Sequence, residues 1–280
     1  MRGEGRHHPG LLVVLHAACF WPVWRWYFQR LNDGSDEPWA VAALFAAAMM
    51  SWPARGFRLE PRDPLLTFAA GLTLLYAALA PFAPPLVRAI PAMAALACSW
   101  VSVTDSKPRL PAVAGLLLLS IPVISSLQFY AGYPLRIVTA AGATEMLNLA
   151  GFEVARVGTS MSVDGRSVLV DAPCSGVRML WTASVLCCLL AAMREAGWRS
   201  TLIAQLLAVP VVLLVNSVRA SLLFLLEIRP SPPSAALHSL VGITMFLLAA
   251  GLLLWSDSVQ SRFASRVRNP RVSLSASPQS

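Results

Sequence analysis

Long apolar runs are the feature that most limits what this chain can fold into. Eight segments consist mainly of aliphatic and aromatic residues and are each roughly 17–27 residues long, which suits helices that cross a bilayer. A bilayer offers no partners to backbone N–H and C=O groups, so such segments must cross as helices. We therefore predict an all-α polytopic membrane protein. The predicted spans are residues 11–28, 38–54, 64–82, 86–104, 110–128, 174–193, 200–226 and 236–256.

The few charged residues support this class and predict an orientation. Charged residues make up 13% of the chain and hydrophobic residues 56%, whereas a soluble domain carries about 25% charged residues. The net charge of +8 is spread over short loops, which is typical of membrane topology rather than of nucleic-acid binding. Arginine and lysine concentrate in every second loop, and the loops between them hold Arg30, Arg88 and Arg229. Both termini are therefore predicted to face the cytoplasm, with the chain in the inner membrane.

One long polar segment, residues 129–173, interrupts the pattern of spans and is predicted to be extracytoplasmic. Helical periodicity over residues 134–150 predicts a helix that lies at the membrane interface. Two β-prone runs, 153–157 and 166–170, flank Asp164-Gly165, which predicts a possible β-hairpin.

The domain organisation follows from these segments. Residues 1–256 are assigned to one transmembrane domain. Residues 257–280 are basic and serine-rich, which predicts a disordered cytoplasmic tail whose arginines touch anionic lipid.

Three chemically reactive residues are predicted to meet at the outer side of the membrane. Cys174 begins the sixth span, Arg219 lies in the outer half of the seventh, and His238 begins the eighth. A thiolate is a strong nucleophile, and a nearby imidazole can take its proton or pair with it. An arginine can hold a developing oxyanion, and its cost inside a membrane, about 2.5–3.5 kcal/mol, favours a functional role. We predict a cysteine nucleophile with these two partners.

Other polar residues near this set have more than one interpretation. Arg178 lies one turn after Cys174 and either holds an anion or extends to the interface. Asn216 is placed to form hydrogen bonds within the site. Asp171 either orients His238 or caps the helix that follows it.

The cysteines predict no cofactor. Four of the five lie inside apolar runs, where a thiol behaves as a small hydrophobic group. Their spacing fits neither a zinc site nor haem attachment, so we expect no metal and no cofactor.

The motifs resemble the exosortase/archaeosortase family of multi-pass membrane proteins. The resemblance rests on three motifs in order: Ala172-Pro-Cys-Ser-Gly-Val-Arg178, Asn216-Ser-Val-Arg219, and His238 followed by Gly242. The stretch Tyr133-Pro-Leu-Arg136 is also similar to the family's segment before its cysteine. The resemblance covers residues 110–256 well, and it implies that Cys174, Arg219 and His238 are the catalytic residues.

The resemblance also implies an activity. Such an enzyme recognises a C-terminal sorting signal on an exported protein, made of a short motif, a membrane span and a basic end. In bacterial members the signal is usually of the PEP-CTERM type. The cysteine attacks the backbone near the motif to form a thioester, and a second nucleophile, such as a surface glycan or lipid, releases the protein. Some relatives carry a soluble domain after the last span, and we expect none in residues 257–280.

Two alternatives are compatible with the same residues. A transporter or assembly factor would use Arg178 and Arg219 to bind an anionic lipid-linked glycan. An intramembrane protease would transfer the acyl group to water. The sequence contains no Gly-x-Ser-x-Gly and no His-Glu-x-x-His motif, which disfavours serine and zinc enzymes.

Overall fold

Helices dominate the described part of the chain. The computed structural model describes residues 9–34, 39–51, 57–58, 63–104, 110–229 and 234–268. The ten α-helices within these ranges are α1 Pro9–Cys19, α2 Trp21–Leu31, α3 Trp39–Ser51, α4 Asp63–Leu79, α5 Pro85–Val103, α6 Leu110–Leu119, α7 Ile124–Leu149, α8 Val177–Met193, α9 Trp198–Glu227 and α10 Ala235–Arg268. Three short strands lie between α7 and α8: β1 Ala155–Val157, β2 Ser160–Val163 and β3 Arg166–Leu169.

Membrane-crossing helices are present, as predicted for a polytopic membrane protein. Four segments are long and apolar enough to span a bilayer, and the number rises to six if each of two bent helix pairs counts as one span. The remaining apolar helices, α3 and α4, are shorter. All eight predicted segments are mainly helical where described, but the count of eight spans stays a prediction.

Two predicted spans are not single straight helices. Segment 11–28 is divided between α1 and α2, whose axes differ by 71°, and segment 110–128 is divided between α6 and α7, with a bend of 87°. Pro22 and Pro122 lie at these breaks. Proline lacks an N–H and clashes with the preceding turn, so it ends or bends a helix.

The polar segment before α8 also differs from its prediction. The expected interfacial helix, residues 134–150, is the second part of α7, so the loop does not begin at residue 129. A third strand, β2, lies between the two runs expected to pair: the order is β1-β2-β3, all antiparallel. Asp164-Gly165 joins β2 to β3, and both residues have positive φ, 49° and 75°, as a tight two-residue turn requires.

The last helix extends past the predicted domain boundary at residue 256, which stays a prediction. Helix α10 continues beyond residue 256 to Arg268, because no glycine or proline interrupts residues 252–268. The rest of the predicted tail, residues 269–280, lies outside the described residues.

The chain forms two compact units, and the predicted catalytic residues all belong to the second. The first unit comprises residues 1–133 and 184–201, and the second comprises residues 134–183 and 202–280. In the second unit α7 and α9 pack closely, since a Cβ at Gly142 would lie 2.5 Å from Ser217 Oγ. Ser221 Oγ also donates to the Ala143 carbonyl at 3.3 Å. Small residues thus let the two backbones approach.

Candidate active site

Cys174 ends a short 3₁₀ turn, Ala172–Cys174, that joins the sheet to α8. The turn is closed by bonds from Cys174 N–H to the Asp171 carbonyl at 3.1 Å and from Ser175 N–H to the Ala172 carbonyl at 3.2 Å. Helix α8 begins at Val177, three residues later than predicted. The thiol therefore precedes the helix, and its side chain is 9% exposed within a core of residues from α7, the sheet and α9.

Gly176 permits the chain to pass from this turn into α8. Its φ is +83°, a conformation that favours glycine. A Cβ on this residue would also lie 2.9 Å from Asn216 Nδ2. Backbone conformation and space both require glycine here, which is the physical reason that a glycine follows Cys174 and Ser175.

Asn216 fixes the position of the cysteine. This α9 side chain is 1% exposed. Its Nδ2 donates to the Cys174 carbonyl and to Thr139 Oγ1, each at 2.9 Å. One buried amide thus connects α7, the cysteine turn and α9. Removing such a donor leaves buried acceptors without a partner, which costs about 1–3 kcal/mol.

The space beside Asn216 is too small for a substrate. A cavity of about 10 Å³ borders Ser175, Gly176 and Asn216, and such a volume holds at most about one water molecule. Asn216 therefore acts on the site through the backbone of Cys174 and is a positioning residue.

Arg219 lies about one turn after Asn216 on α9 and supplies a positive charge to this site. Its charge acts on Cys174 and favours the thiolate over the thiol. Its Nε is buried without a hydrogen-bond partner among the described residues. An ion pair between Arg219 and Glu227 would have indicated a structural role for Arg219. No such pair is formed between these two described residues. Arg219 thus keeps a buried N–H donor for another group.

Two carboxylates oppose Arg219 in this environment. The negative charges of Asp171 and Glu227 act on Cys174 in the sense opposite to the charge of Arg219. Asp171 makes no side-chain capping bond to the 3₁₀ turn that it precedes. The capping role predicted for Asp171 is therefore not observed, and its role toward His238 stays a prediction. The thiol lies between one positive and two negative charges of the described residues.

His238 lies in the first turn of α10, on the face that packs toward this site. Its side chain is half-buried. Val241, three residues on, packs against the core that contains Cys174. Gly242, four residues on, would place a Cβ 3.8 Å from Arg219 Nε. Residues three and four apart share a helix face, so His238 lies on the same face.

The imidazole is not in contact with the thiol in this structure. No hydrogen bond or ion pair joins His238 to Cys174 or Arg219, all three being described residues. Catalytic hydrogen bonds in substrate-free enzymes are commonly long and tighten when substrate binds. The structure thus brings Cys174, Asn216 and Arg219 together. His238 lies on the face of α10 that is turned toward them, without a hydrogen bond to Cys174 or Arg219.

One residue of the site, Thr139, lies outside the sequence-based prediction. Thr139 is fully buried and accepts from Asn216; 77 positions separate them, and no sequence pattern connects them. Arg178 was predicted as a supporting residue, and its side chain is exposed in the first turn of α8.

Known protein families, curated proteins and solved structures provide a separate comparison for the chain. The family described as transmembrane exosortase matches residues 3–255, which include all of the described site. No curated protein and no solved structure shows a significant match to the chain.

Proposed function

Because this chain belongs to the transmembrane exosortase family, we propose that it is a membrane-embedded cysteine transpeptidase or peptidase. Its substrates are exported proteins that end in a sorting signal. One observation carries the proposal: the Cys174 turn is fixed by Asn216 beside the charge of Arg219, whose buried Nε has no hydrogen-bond partner among the described residues. A fixed nucleophile next to a free cationic donor suits acyl transfer.

In the proposed first step, the thiolate of Cys174 attacks the carbonyl carbon of the cleaved peptide bond. The negative charge that develops on the carbonyl oxygen is stabilised by the Arg219 guanidinium. The C–N bond then breaks, and the acyl group stays on sulfur as a thioester. In the second step, a nucleophile attacks the thioester and regenerates the thiol.

His238 completes the proton transfers in this proposal. It takes the thiol proton before the attack and returns it to the leaving amine. This role requires the imidazole to approach the thiol when substrate binds. The half-buried position of His238 at the start of α10 allows such an approach from a face that already borders Arg219.

The proposed substrate has three parts: a short motif, a membrane span and a basic end, as in PEP-CTERM-like signals. The motif occupies the site, and the span lies in lipid beside the bundle. The basic end stays in the cytoplasm. The acceptor is a nucleophile on a surface glycan or lipid, or water if the enzyme acts as a peptidase.

The proposed orientation follows from the charges of the loops. With eight spans and both termini in the cytoplasm, the polar segment before α8 faces outward. The site then opens to the periplasmic side of the inner membrane, where exported proteins arrive. The arginine-rich loops would lie on the cytoplasmic side.

Replacement of Cys174 tests this proposal. In cells that carry Cys174→Ser, precursors of exported proteins with a C-terminal anchor should accumulate, and processing should be lost at normal enzyme levels. The matched control is Cys19→Ser, because Cys19 is also a free cysteine but lies in α1. Immunoblots of precursor and mature forms measure the result.

The same strains separate the alternative functions. Normal processing in Cys174→Ser cells would contradict the enzyme. If Arg219→Gln cells then lost surface glycan, the transporter or assembly factor would be favoured. A membrane-impermeant maleimide gives the orientation: labelling of Cys174 from the cytoplasmic side alone would invert the proposed topology.

A further inference from the structure

The two edge strands of the small sheet, β1 and β3, differ in how many of their backbone groups are open to pairing. Which backbone groups point outward follows from the strand register. In the β2–β3 ladder, Val170 N–H donates to the Thr159 carbonyl at 3.0 Å. Hydrogen-bonded pairs alternate along an antiparallel ladder, so residues 168 and 166 also point their backbone groups toward β2. The backbone N–H and C=O groups of Ser167 and Leu169 therefore point away from the sheet.

These outward groups are open. No hydrogen bond to Ser167 or Leu169 from outside the sheet is formed within the described ranges. Both residues are exposed, Leu169 by 57%. Two consecutive outward residues on an edge strand can pair with another extended chain.

The opposite edge is partly closed. On β1 the outward residues are Val154 and Arg156, by the same alternation. Asn148 covers the first of them: Val154 N–H donates to Asn148 Oδ1 at 2.9 Å, and Asn148 Nδ2 donates to the Val154 carbonyl at 3.3 Å. The β1 edge thus retains one open residue, whereas the β3 edge retains two.

The open edge runs directly to the nucleophile. Ser167 and Leu169 precede Cys174 by seven and five positions. Asp171, the next outward residue, has extended backbone and lies beside the thiol. Any strand that pairs with β3 and continues in the same direction reaches Cys174.

We propose that the open edge of β3 binds the substrate's backbone as a fourth strand, in the segment before the cleaved bond. This inference rests on the proposed function. The segment runs parallel to β3, because its continuation must pass Cys174 before it enters the membrane. Main-chain hydrogen bonds supply the binding, and the exposed Leu169 side chain contacts every second side chain of the substrate.

The test removes one backbone donor from each edge. Ser167→Pro deletes an outward N–H on β3, and Arg156→Pro deletes an outward N–H on β1 as the matched control. The substrate is the precursor that accumulates in Cys174→Ser cells. We expect Ser167→Pro to slow its processing about tenfold, the effect of one or two lost hydrogen bonds, and Arg156→Pro to change it less than twofold.

A second measurement does not depend on how well proline is tolerated. A photo-crosslinking amino acid replaces the exposed Leu169 or Arg156 in the Cys174→Ser enzyme, which keeps its fold and retains precursor. Cross-links to the precursor from position 169 and not from 156 support the proposal. Cross-links from 156 alone would place the substrate at the other edge, beside an open cavity of about 570 Å³ lined by Asn148 and Phe152, and would overturn it.

The two hypotheses fail in different ways. If Cys174→Ser abolishes processing while Ser167→Pro is as active as Arg156→Pro and position 169 gives no cross-link, the enzyme stands and the strand pairing is wrong. If no precursor accumulates in Cys174→Ser cells, the proposed function fails and the strand pairing with it.

Discussion

Each of the two units holds a half-buried histidine near polar side chains, and the two histidines differ in their hydrogen bonds. In the first unit, His16 of α1 uses both ring nitrogens: Nδ1 bonds Ser99 Oγ of α5 at 2.7 Å, and Nε2 bonds Thr73 Oγ1 of α4 at 2.8 Å. In the second unit, the His238 imidazole has no partner among the described residues.

This difference separates a structural cluster from a reactive one. Buried polar groups cost free energy unless they are paired, so proteins normally pair them. The cluster around His16 obeys this rule and joins three helices. The cluster around Cys174 leaves Asn216 Oδ1 and Arg219 Nε buried, with no hydrogen-bond partner in the part of the chain that the structure describes. Buried polar groups that lack such partners inside a membrane protein indicate that they bind a ligand.

Replacing each histidine by alanine should give the largest difference in processing rate between the two units. His238→Ala is expected to slow precursor processing about a thousandfold, because general acid–base catalysis contributes on that order. His16→Ala, the matched control, should reduce the amount of folded enzyme and leave the rate per folded molecule unchanged. Initial rates normalised to immunoblotted enzyme measure both effects. Equal rates per molecule for the two variants would remove His238 from the mechanism.

Arginine replacement gives the next largest effect. Arg219→Lys keeps the positive charge but loses the planar guanidinium and its Nε donor, so processing should slow about a hundredfold, as when an oxyanion donor is removed. The exposed Arg199 lies on the same helix, and Arg199→Lys should change the rate less than twofold. A near-normal rate for Arg219→Lys would show that charge alone is required.

The composition and the motifs were sufficient to predict the membrane class and the family. Apolar runs indicate helices that lipid can surround, and the motifs around Cys174, Arg219 and His238 resemble the family whose model matches residues 3–255. The bends at Pro22 and Pro122 were missed, because proline is also tolerated near helix starts and hydropathy does not distinguish the two situations. Strand β2 was missed because only Met161 and Val163 are apolar in its four residues.

The site was less predictable than the fold. Its residues were identified by chemistry and order, and their catalytic roles remain proposals. The contacts that fix Cys174 join residues far apart in sequence, Thr139 to Asn216 and Asn216 to Cys174. Such contacts depend on how α7 and α9 approach each other, which the periodicity of a single helix does not determine.

Single hydroxyl deletions in the His16 cluster should give the smallest effect and reveal its hydrogen-bond directions. Thr73 Oγ1 donates to the Ala69 carbonyl at 2.8 Å, so it accepts from His16 Nε2–H, and Nδ1 accepts from Ser99 Oγ–H. Thr73→Val leaves a donor unsatisfied and Ser99→Ala an acceptor, so each should lower the free energy of unfolding by about 1 kcal/mol. Thermal unfolding in detergent measures both, and Thr73→Ser is the control that keeps the hydroxyl. Processing should be unchanged in all three variants. A loss of activity without a loss of stability would show that the first unit also takes part in the reaction, and the contrast between the two histidines would no longer hold.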